Sequence, residues 1–296
     1  YYIDPILFIV MSEAVMRDVN HHPIFQALQK IIHDAADVIM EIYQHADLGI
    51  EEKSDQSPVT AADIAAHRTI LAGLHLMTPD IPVLSEEGVV PYEERSQWPL
   101  LWIVDPLDGT KEFIKRNGEF SINIALVENG VPIIGMVYLP TTSEGYFGVT
   151  QTWRELPVGA VKWQGNELES ISVRKPNTPV IAMTSRSHGP SLPVALKQDL
   201  KERYSAVREI PKGSSIKACR IAEGVADLHL RRGPTSEWDT AAQQAIVEAA
   251  GGMLVSPTGE PFRYNQRETL LNGHFFVSGP EIAPSVLSWY QQHYKD

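Results

Sequence analysis

The sequence predicts a mixed fold in which an α+β half packs closely against an α/β half, with a site between them. Three observations carry this expectation. Apolar residues recur at helical spacing twice near the start of the chain, and short apolar strands with a hairpin follow. From residue 180 onward, strands alternate with helices. No internal repeat or low-complexity tract interrupts the pattern.

Between Ile24 and His45, the residues Phe25, Leu28, Ile31, Ile32, Ala35, Ile39, Met40 and Ile42 form one apolar stripe, which predicts an amphipathic helix. A polar loop over 49–57 leads through Pro58 into a second helix. Thr60 is its expected N-cap and Asp63, three residues on, its capping-box acid. Ile64, Ile70, Leu71 and Leu74 are its expected buried stripe. Residues 81–84 and 100–104 are short apolar runs that end directly in acidic residues. They read as buried strands delivering carboxylates at their ends. Residues 121–127 and 131–139 flank Glu128-Asn129-Gly130, a hairpin signal. The stretch 145–165 reads as further strand and turn. Beyond it come a strand at 180–185, a helix at 192–204, a strand at 207–209 and a helix at 214–223. A strand at 226–230 and a helix at 240–250 complete the alternation. The expected division is an N-terminal extension at 1–20, an α+β half at 21–175 and an α/β half at 176–296, the two halves packed as one unit. The extension is expected to be non-native or disordered, with Met11 a natural start.

The chain of 296 residues is 43% hydrophobic and 21% charged, the composition of a globular protein with a large core. Its formal net charge of −12 argues against a polynucleotide partner, because phosphate backbones are held by clustered Lys and Arg. A small anionic ligand stays open where a metal or a local basic group offsets the charge. The single cysteine, Cys219, excludes an intrachain disulfide and reads as a small core residue. Cysteine scarcity fits a reducing cytoplasm. No run reaches the roughly 18 apolar residues of a membrane span. Residues 1–10 contain Asp4 and Pro5 and lack the basic leader of a signal peptide. The expectation is a cytoplasmic protein, at most peripheral on the inner face of the membrane, without stable insertion, and monomeric or homodimeric.

Four acidic positions stand at the ends of elements: Asp63, the Glu86-Glu87 pair, the Asp105/Asp108 pair and Asp239. Hard cations such as Mg²⁺ take oxygen ligands and are held by a few carboxylates plus substrate phosphate. In Asp105-Pro106-Leu107-Asp108 the proline stiffens the turn, so two carboxylates and an intervening carbonyl could converge. Gly109 lets backbone approach a ligand closely, and Thr110 with Lys111 starts a helical turn whose N–H groups favour an anion. Singly, each acid has a plainer reading. Asp63 could be only a cap, Asp108-Gly109 a turn, Glu86-Glu87 a solvated loop and Asp239 the cap of the helix after it. Together, at strand ends and helix starts, they read as a metal centre.

Ser57-Pro58-Val59-Thr60-Ala61-Ala62-Asp63, Ser85-Glu86-Glu87-Gly88, the run from Trp102 to Thr110 and Trp238-Asp239-Thr240-Ala241-Ala242 occur in this order. The set resembles the signature of the lithium-sensitive, Mg²⁺-dependent inositol monophosphatase superfamily, over residues 24–278. The resemblance implies a layered αβαβα sandwich. Further stretches resemble its bacterial 3′(2′),5′-bisphosphate nucleotidase branch. They are Lys111 to Phe120, Ser185-Arg186-Ser187-His188, Gly213-Ser214-Ser215-Ile216-Lys217 and Arg231-Arg232-Gly233-Pro234-Thr235. Where that branch often continues the acidic pair with an acid or serine, this chain has Gly88.

The resemblance implies metal ligation by Glu86, Asp105, the Leu107 carbonyl, Asp108 and Asp239, with two or three Mg²⁺ per site. Two such ions about 3.5–4 Å apart could clamp both oxygens of an in-line displacement at phosphorus. Thr110, backed by Asp63, would orient the attacking water, which sets capping and catalysis in competition for the same Asp63 oxygens. Glu87 would be a base or an outer ligand. By the same resemblance Gly109, Thr110, Ser214, Lys217 and Arg231 meet the phosphates or the ribose, and His188 lies near the base. Without it, Lys217 reads as a solvated helix position and His188 as a loop residue. The reaction implied is hydrolysis of adenosine 3′,5′-bisphosphate to AMP and phosphate, clearing a by-product of sulfate assimilation. The alternatives are an inositol-monophosphate or sugar-bisphosphate phosphatase, and, less favoured, a non-catalytic nucleotide-binding homologue.

Overall fold

The first apolar stripe folds as α1, Pro23–Gln44, in the computed structural model, which describes residues 18–45, 47–52, 58–186 and 192–294. Pro23 costs the first turn nothing, since its missing N–H would have no helical partner there, and Ile24 N donates to His22 Nδ1 at 3.2 Å. Of the expected N-terminal extension, residues 1–17 lie outside the described residues. Residues 18–20 belong to a helical turn, and Val19 is buried in the core.

The second helix, α2 (Ala61–Met77), starts at Thr60 through the expected capping box. Its buried face is Ala62, Ala66, Ile70 and Leu74, so Ile64 and Leu71 do not form the stripe that was expected. Small residues take the contact because α2 lies tightly on α1: a Cβ on Gly73 would come within 2.5 Å of Ile31. Before α2, β1 (Glu51–Glu52) and β2 (Pro58–Val59) pair as a short antiparallel ribbon.

Seven strands form the first sheet, in sequential order: β3 (Val83–Ser85), β4 (Leu100–Asp108), β5 (Ser121–Glu128), β6 (Val131–Leu139), β7 (Glu144–Val149), β8 (Gly159–Gln164) and β9 (Glu167–Ser170). Only β3 and β4 run parallel. A short α3 (Tyr92–Arg95) lies between them in sequence. The hydrophobic run of β4 is buried on both faces, which is why it does not alternate with polar residues. Trp102 and Val104 pack against α1 and α2, and Trp102 Nε1 donates to Thr78 Oγ1 at 2.9 Å. Leu101 and Ile103 face the other way, into a second core.

That second core holds α6 (Ile216–Ala222) and α7 (Glu237–Ala249). Gly135 and Gly148 let α7 lie directly on the sheet: a Cβ at either would stand 2.3 Å from Ala242 O or 2.5 Å from Ile246 Cα. Below these helices lies a five-stranded sheet made of β10 (Val180–Ser185), β11 (Val207–Lys212), β12 (Leu228–Arg231), β14 (Met253–Val255) and β16 (Phe275–Ser278). Its order is β11-β10-β12-β16-β14. Its far face packs on α5 (Val194–Tyr204) and α8 (Ala283–His293). β13 (Thr235–Ser236) and β15 (Leu271–Asn272) form a small ribbon beside α7. The layers run helix, sheet, helix, sheet, helix, the αβαβα order that the resemblance implied.

Candidate metal and substrate site

Two acids reach the site by the same local device. Asp63 is the third residue of α2 and Asp239 the third of α7, and each closes a capping box. Asp63 Oδ2 accepts from Thr60 N at 2.7 Å and Thr60 Oγ1 at 2.6 Å; Asp239 Oδ2 accepts from Ser236 N at 2.6 Å. The expected competition at Asp63 is resolved by division. Oδ2 serves the cap, while Oδ1 accepts from Thr110 Oγ1 at 3.2 Å. Asp239 is not the N-cap of a helix starting at Thr240: Ser236 supplies the cap, and α7 begins at Glu237.

Asp105 and Asp108 come from the end of β4, across a bulge. Asp105 is opposite Asn123 and Asp108 opposite Ser121, so β4 carries one extra residue. Pro106, with no N–H for a ladder, sits in it. Leu107 N donates to Asp105 Oδ1 at 3.0 Å, its side chain enters the first core, and its carbonyl accepts from Thr110 Oγ1 at 3.3 Å. Gly109 follows with φ of +97°, where a Cβ would meet Glu119 O at 3.0 Å. It leads into the short α4 (Thr110–Ile114).

Asp108 Oδ2 accepts from Ser215 Oγ at 2.7 Å, Ser121 Oγ at 3.3 Å and Asn123 Nδ2 at 3.5 Å. Gln243 Nε2 donates to Ser215 Oγ at 2.8 Å and also to Asp239 O. Ser121, Asn123, Ser215 and Gln243 therefore orient the acids, and none was given a role from the sequence. Each is an ordinary polar residue until the fold places it beside a carboxylate.

One oxygen from each of Asp105, Asp108 and Asp239 lies within 4.8 Å of the other two. Burial, then repulsion from Glu86, Asp108, Asp239 and Asp63, pushes the Asp105 carboxyl well above its usual range. Burial and Asp108 push Asp239 up to about 7, against the hydrogen bond from Ser236. Carboxylates crowded in this way resist joint ionisation unless a cation stands among them. All donors are oxygens, which suits a hard divalent cation. The residues present fit such an ion.

Asp108 and Asp239 open on a cavity of about 240 Å³ between the two sheets' elements, while the buried Asp105 is not in its wall. Its wall includes Glu86, Asp108, Gly109, Thr110 and Asp239 on the carboxylate side, and Ser214, Lys217 and Arg231 opposite in sequence. Burial lowers the Lys217 ammonium to about 8, although Asp108 draws it back up, and its Nζ donates to Ser214 O. The Ser214 and Thr235 hydroxyl oxygens are buried in this wall without a hydrogen-bond partner among the described residues, so each offers a donor to a ligand. Thr235, like Ser215, stands in a stretch that carries the resemblance, but no role of its own could be read for it there.

Two expected residues stand apart. Glu87 is not in the cavity wall; its charge acts on His67, whose imidazole is lowered by burial and raised by Glu87. His188 lies outside the described residues. A clamp unforeseen in the sequence ties Glu119, just before β5, to the ends of β10 and β11 at the cavity rim. Arg186 donates to both oxygens of Glu119, at 2.6 and 2.7 Å, and Lys212 Nζ and Gly213 N add bonds at 3.1 and 2.8 Å. Burial pushes Glu119 upward, but these bonds hold it below the usual carboxylate range.

The layered fold and the oxygen-only donor set define the class of metal-dependent phosphatases. The profile of the Inositol monophosphatase family matches residues 20–287, and the chain belongs to that family. The chain is 44% identical to the 3′(2′),5′-bisphosphate nucleotidase CysQ of Escherichia coli O157:H7, over 84% of this chain and 97% of that protein. It is 45% identical to the CysQ of Salmonella typhimurium over the same shares. Among solved structures, CysQ of Bacteroides thetaiotaomicron matches with a TM-score of 0.72 at 42% identity, covering 86% of this chain and 96% of that one. An inositol monophosphatase of Thermotoga maritima shares the fold, with a TM-score of 0.69 at 24% identity over 89% of this chain and 94% of that one. Among the described residues, no helix is long and apolar enough to cross a membrane.

Proposed function

We propose that the protein is a Mg²⁺-dependent 3′(2′),5′-bisphosphate nucleotidase that hydrolyses adenosine 3′,5′-bisphosphate to AMP and phosphate. The observation that carries the reading is one cavity with Glu86, Asp108 and Asp239 in its wall, Asp105 within 4.8 Å of the last two, and Lys217, Arg231 and Ser214 lining the same space. A bisphosphate needs a cationic contact beyond the reacting centre, and a monophosphate does not. The names of the relatives at 44–45% identity support the same substrate.

Glu86, Asp105, the Leu107 carbonyl, Asp108 and Asp239 are assigned as the ligands of two or three Mg²⁺. When bound, such ions supply a water of lowered pKa and offset the phosphate charge. Thr110 Oγ1 donates to Asp63 Oδ1, which turns its lone pair toward the attacking water. As the water oxygen bonds phosphorus and the ester P–O bond breaks, the water proton passes to Thr110 Oγ1 and the threonine proton to Asp63 Oδ1. Asp63 can take it because its other oxygen alone holds the cap. The departing ribose oxygen takes a proton from solvent water, and Asp63 later returns its own to solvent. Lys217, Arg231 and Ser214 hold the second phosphate or the ribose, and Gly109 gives the backbone room at the first. His188 keeps its assignment near the base, and Glu87 an outer position beside His67. A single cysteine, buried in the core, fits action in a reducing cytoplasm.

The test is phosphate release from adenosine 3′,5′-bisphosphate and inositol 1-phosphate, each with and without Mg²⁺. Faster turnover of the nucleotide, lost without Mg²⁺ and reduced at least ~10³-fold by Asp105→Asn, is expected. Preference for inositol 1-phosphate would overturn the substrate, and indifference to Mg²⁺ the mechanism.

A further inference from the structure

His229 sits on β12, in the middle of the five-stranded sheet, and is 2% exposed. Its partner across the ladder on β10 is Met183, whose carbonyl oxygen lies 2.9 Å from His229 Nδ1. A carbonyl oxygen only accepts, so Nδ1 carries the hydrogen and donates it. The ring stands in the wall of the substrate cavity, edge-on to Phe275 at 5.9 Å between centroids. With Nδ1 engaged on the sheet, the nitrogen left to the cavity is Nε2. No hydrogen bond from the described residues reaches it.

The surroundings keep that nitrogen bare. Burial comes first, and the Lys217 and Arg231 cations add to it; together they outweigh the bond to Met183 and hold the imidazole uncharged. A neutral Nε2 is a lone-pair acceptor with no proton to give. It repels a phosphate oxygen and is satisfied only by an O–H or N–H donor. Lys217 and Arg231, close enough to act on the ring, offer the anion contacts beside it.

We infer that His229 is a specificity-determining residue that accepts a hydrogen bond, through Nε2, from a hydroxyl or amino group of the substrate next to the phosphate held by Lys217 and Arg231. The inference rests on the nucleotidase reading and adds to it a requirement for a neutral donor at that place. In a nucleotide the donor is either a sugar hydroxyl or an exocyclic amine, and substrate analogues separate the two.

The experiment measures kcat and KM for wild type, His229→Gln and His229→Phe on three compounds. These are adenosine 3′,5′-bisphosphate, its 2′-deoxy analogue and inosine 3′,5′-bisphosphate. Removing the donor strands a buried acceptor, so wild type should lose roughly 5- to 150-fold in kcat/KM on one analogue, chiefly through KM. His229→Phe, which has no acceptor, should reduce that loss to less than twofold. His229→Gln, whose amide oxygen replaces Nε2, should restore it. Loss on the deoxy compound identifies the hydroxyl; loss on the inosine compound identifies the amine. No loss on either analogue in wild type, or an equal loss in His229→Phe, overturns the inference. If the phenylalanine variant does not fold, His229→Leu, which likewise lacks an acceptor, carries the same test. Failure of wild type to release phosphate from the parent bisphosphate is a different result, and it overturns the nucleotidase reading itself.

Discussion

Arg220 lies near the C-terminal end of α6, the helix that begins just after Ser215 and carries Lys217 to the cavity. Its guanidinium donates to both oxygens of Glu144 at 3.0 and 2.7 Å, to Glu223 Oε1 at 2.6 Å and to the Tyr146 hydroxyl at 2.8 Å. Glu144 and Tyr146 are on β7, so this knot ties α6 to the seven-stranded sheet. Lys162 joins from β8, 3.0 Å from Glu144 and 2.7 Å from Glu223. Glu144 is 8% exposed, and burial alone would raise its pKa. The bonds from Arg220, Thr142 and Lys162 prevail and bring it from 4.5 to about 2. At 1.36 kcal/mol per pH unit this displacement corresponds to about 3 kcal/mol. Breaking a buried pair on one side costs about 3–5 kcal/mol. Arg220→Met should therefore lower unfolding stability by about 3 kcal/mol at pH 7, read from urea titrations with the slope held common. The sign with pH is fixed by the direction of the shift. A carboxylate lowered in the folded state contributes stability above its unfolded value near 4.5 and loses it as the pH falls toward 2. The deficit of the variant should thus fall to about half or less by pH 3. A deficit under about 1 kcal/mol at pH 7, or one unchanged at pH 3, would refute the reasoning.

Two further outcomes are expected. Ser215→Ala removes the hydroxyl that links Gln243 to Asp108, so the Mg²⁺ concentration for half-maximal activity should rise about 10- to 100-fold. An unchanged Mg²⁺ requirement would show that Ser215 does not hold the ligand. For the metal-free protein, Asp239 is raised from 3.8 to about 7, so the folded state binds the extra proton between those values. Its stability in EDTA should be highest below about pH 4 on this account and fall as the pH rises to about 7. Saturating Mg²⁺ should flatten that slope, and parallel pH profiles with and without the ion would count against the carboxylate cluster as the metal site.

The sequence foretold what depends on local pattern. The stripe of α1, the Thr60–Asp63 box and the hairpin across Asn129-Gly130 all rest on spacing within a few residues, and they appear with boundaries close to those expected. What depends on packing was not legible. Ile64 and Leu71 outweigh Ala62 and Ala66 on any hydrophobicity count, yet the alanines are buried, because closeness to α1 selects small side chains. The strands β14 and β16 are ordinary apolar runs until the second sheet needs them. Among site residues, the acids were visible because each stands at the end of a strand or the start of a helix, a place read from local pattern. No role could be read for Ser215, Gln243, Thr235 or His229, although Ser215 and Thr235 lie in stretches that carry the resemblance, since a serine, a glutamine, a threonine or a histidine shows its function only beside a partner.

The two capping boxes explain a feature of the site that its acidity alone does not. A helix N-terminus stabilises a carboxylate in its first turn, and both Asp63 and Asp239 stand there. If the caps existed to keep these acids charged, Asp239 would titrate low. It is held near 7, since burial and Asp108 outweigh Ser236. The cap therefore fixes where the carboxylate is, and leaves its charge to be balanced by something else. Each box engages Oδ2 alone, and at Asp63 Oδ1 is turned to Thr110 at the cavity. Position comes from the backbone, before any ligand arrives, and charge balance comes with the cation. Such an arrangement keeps the pocket formed while leaving its affinity to depend on a divalent ion and on an anion that the Lys217 and Arg231 wall can hold.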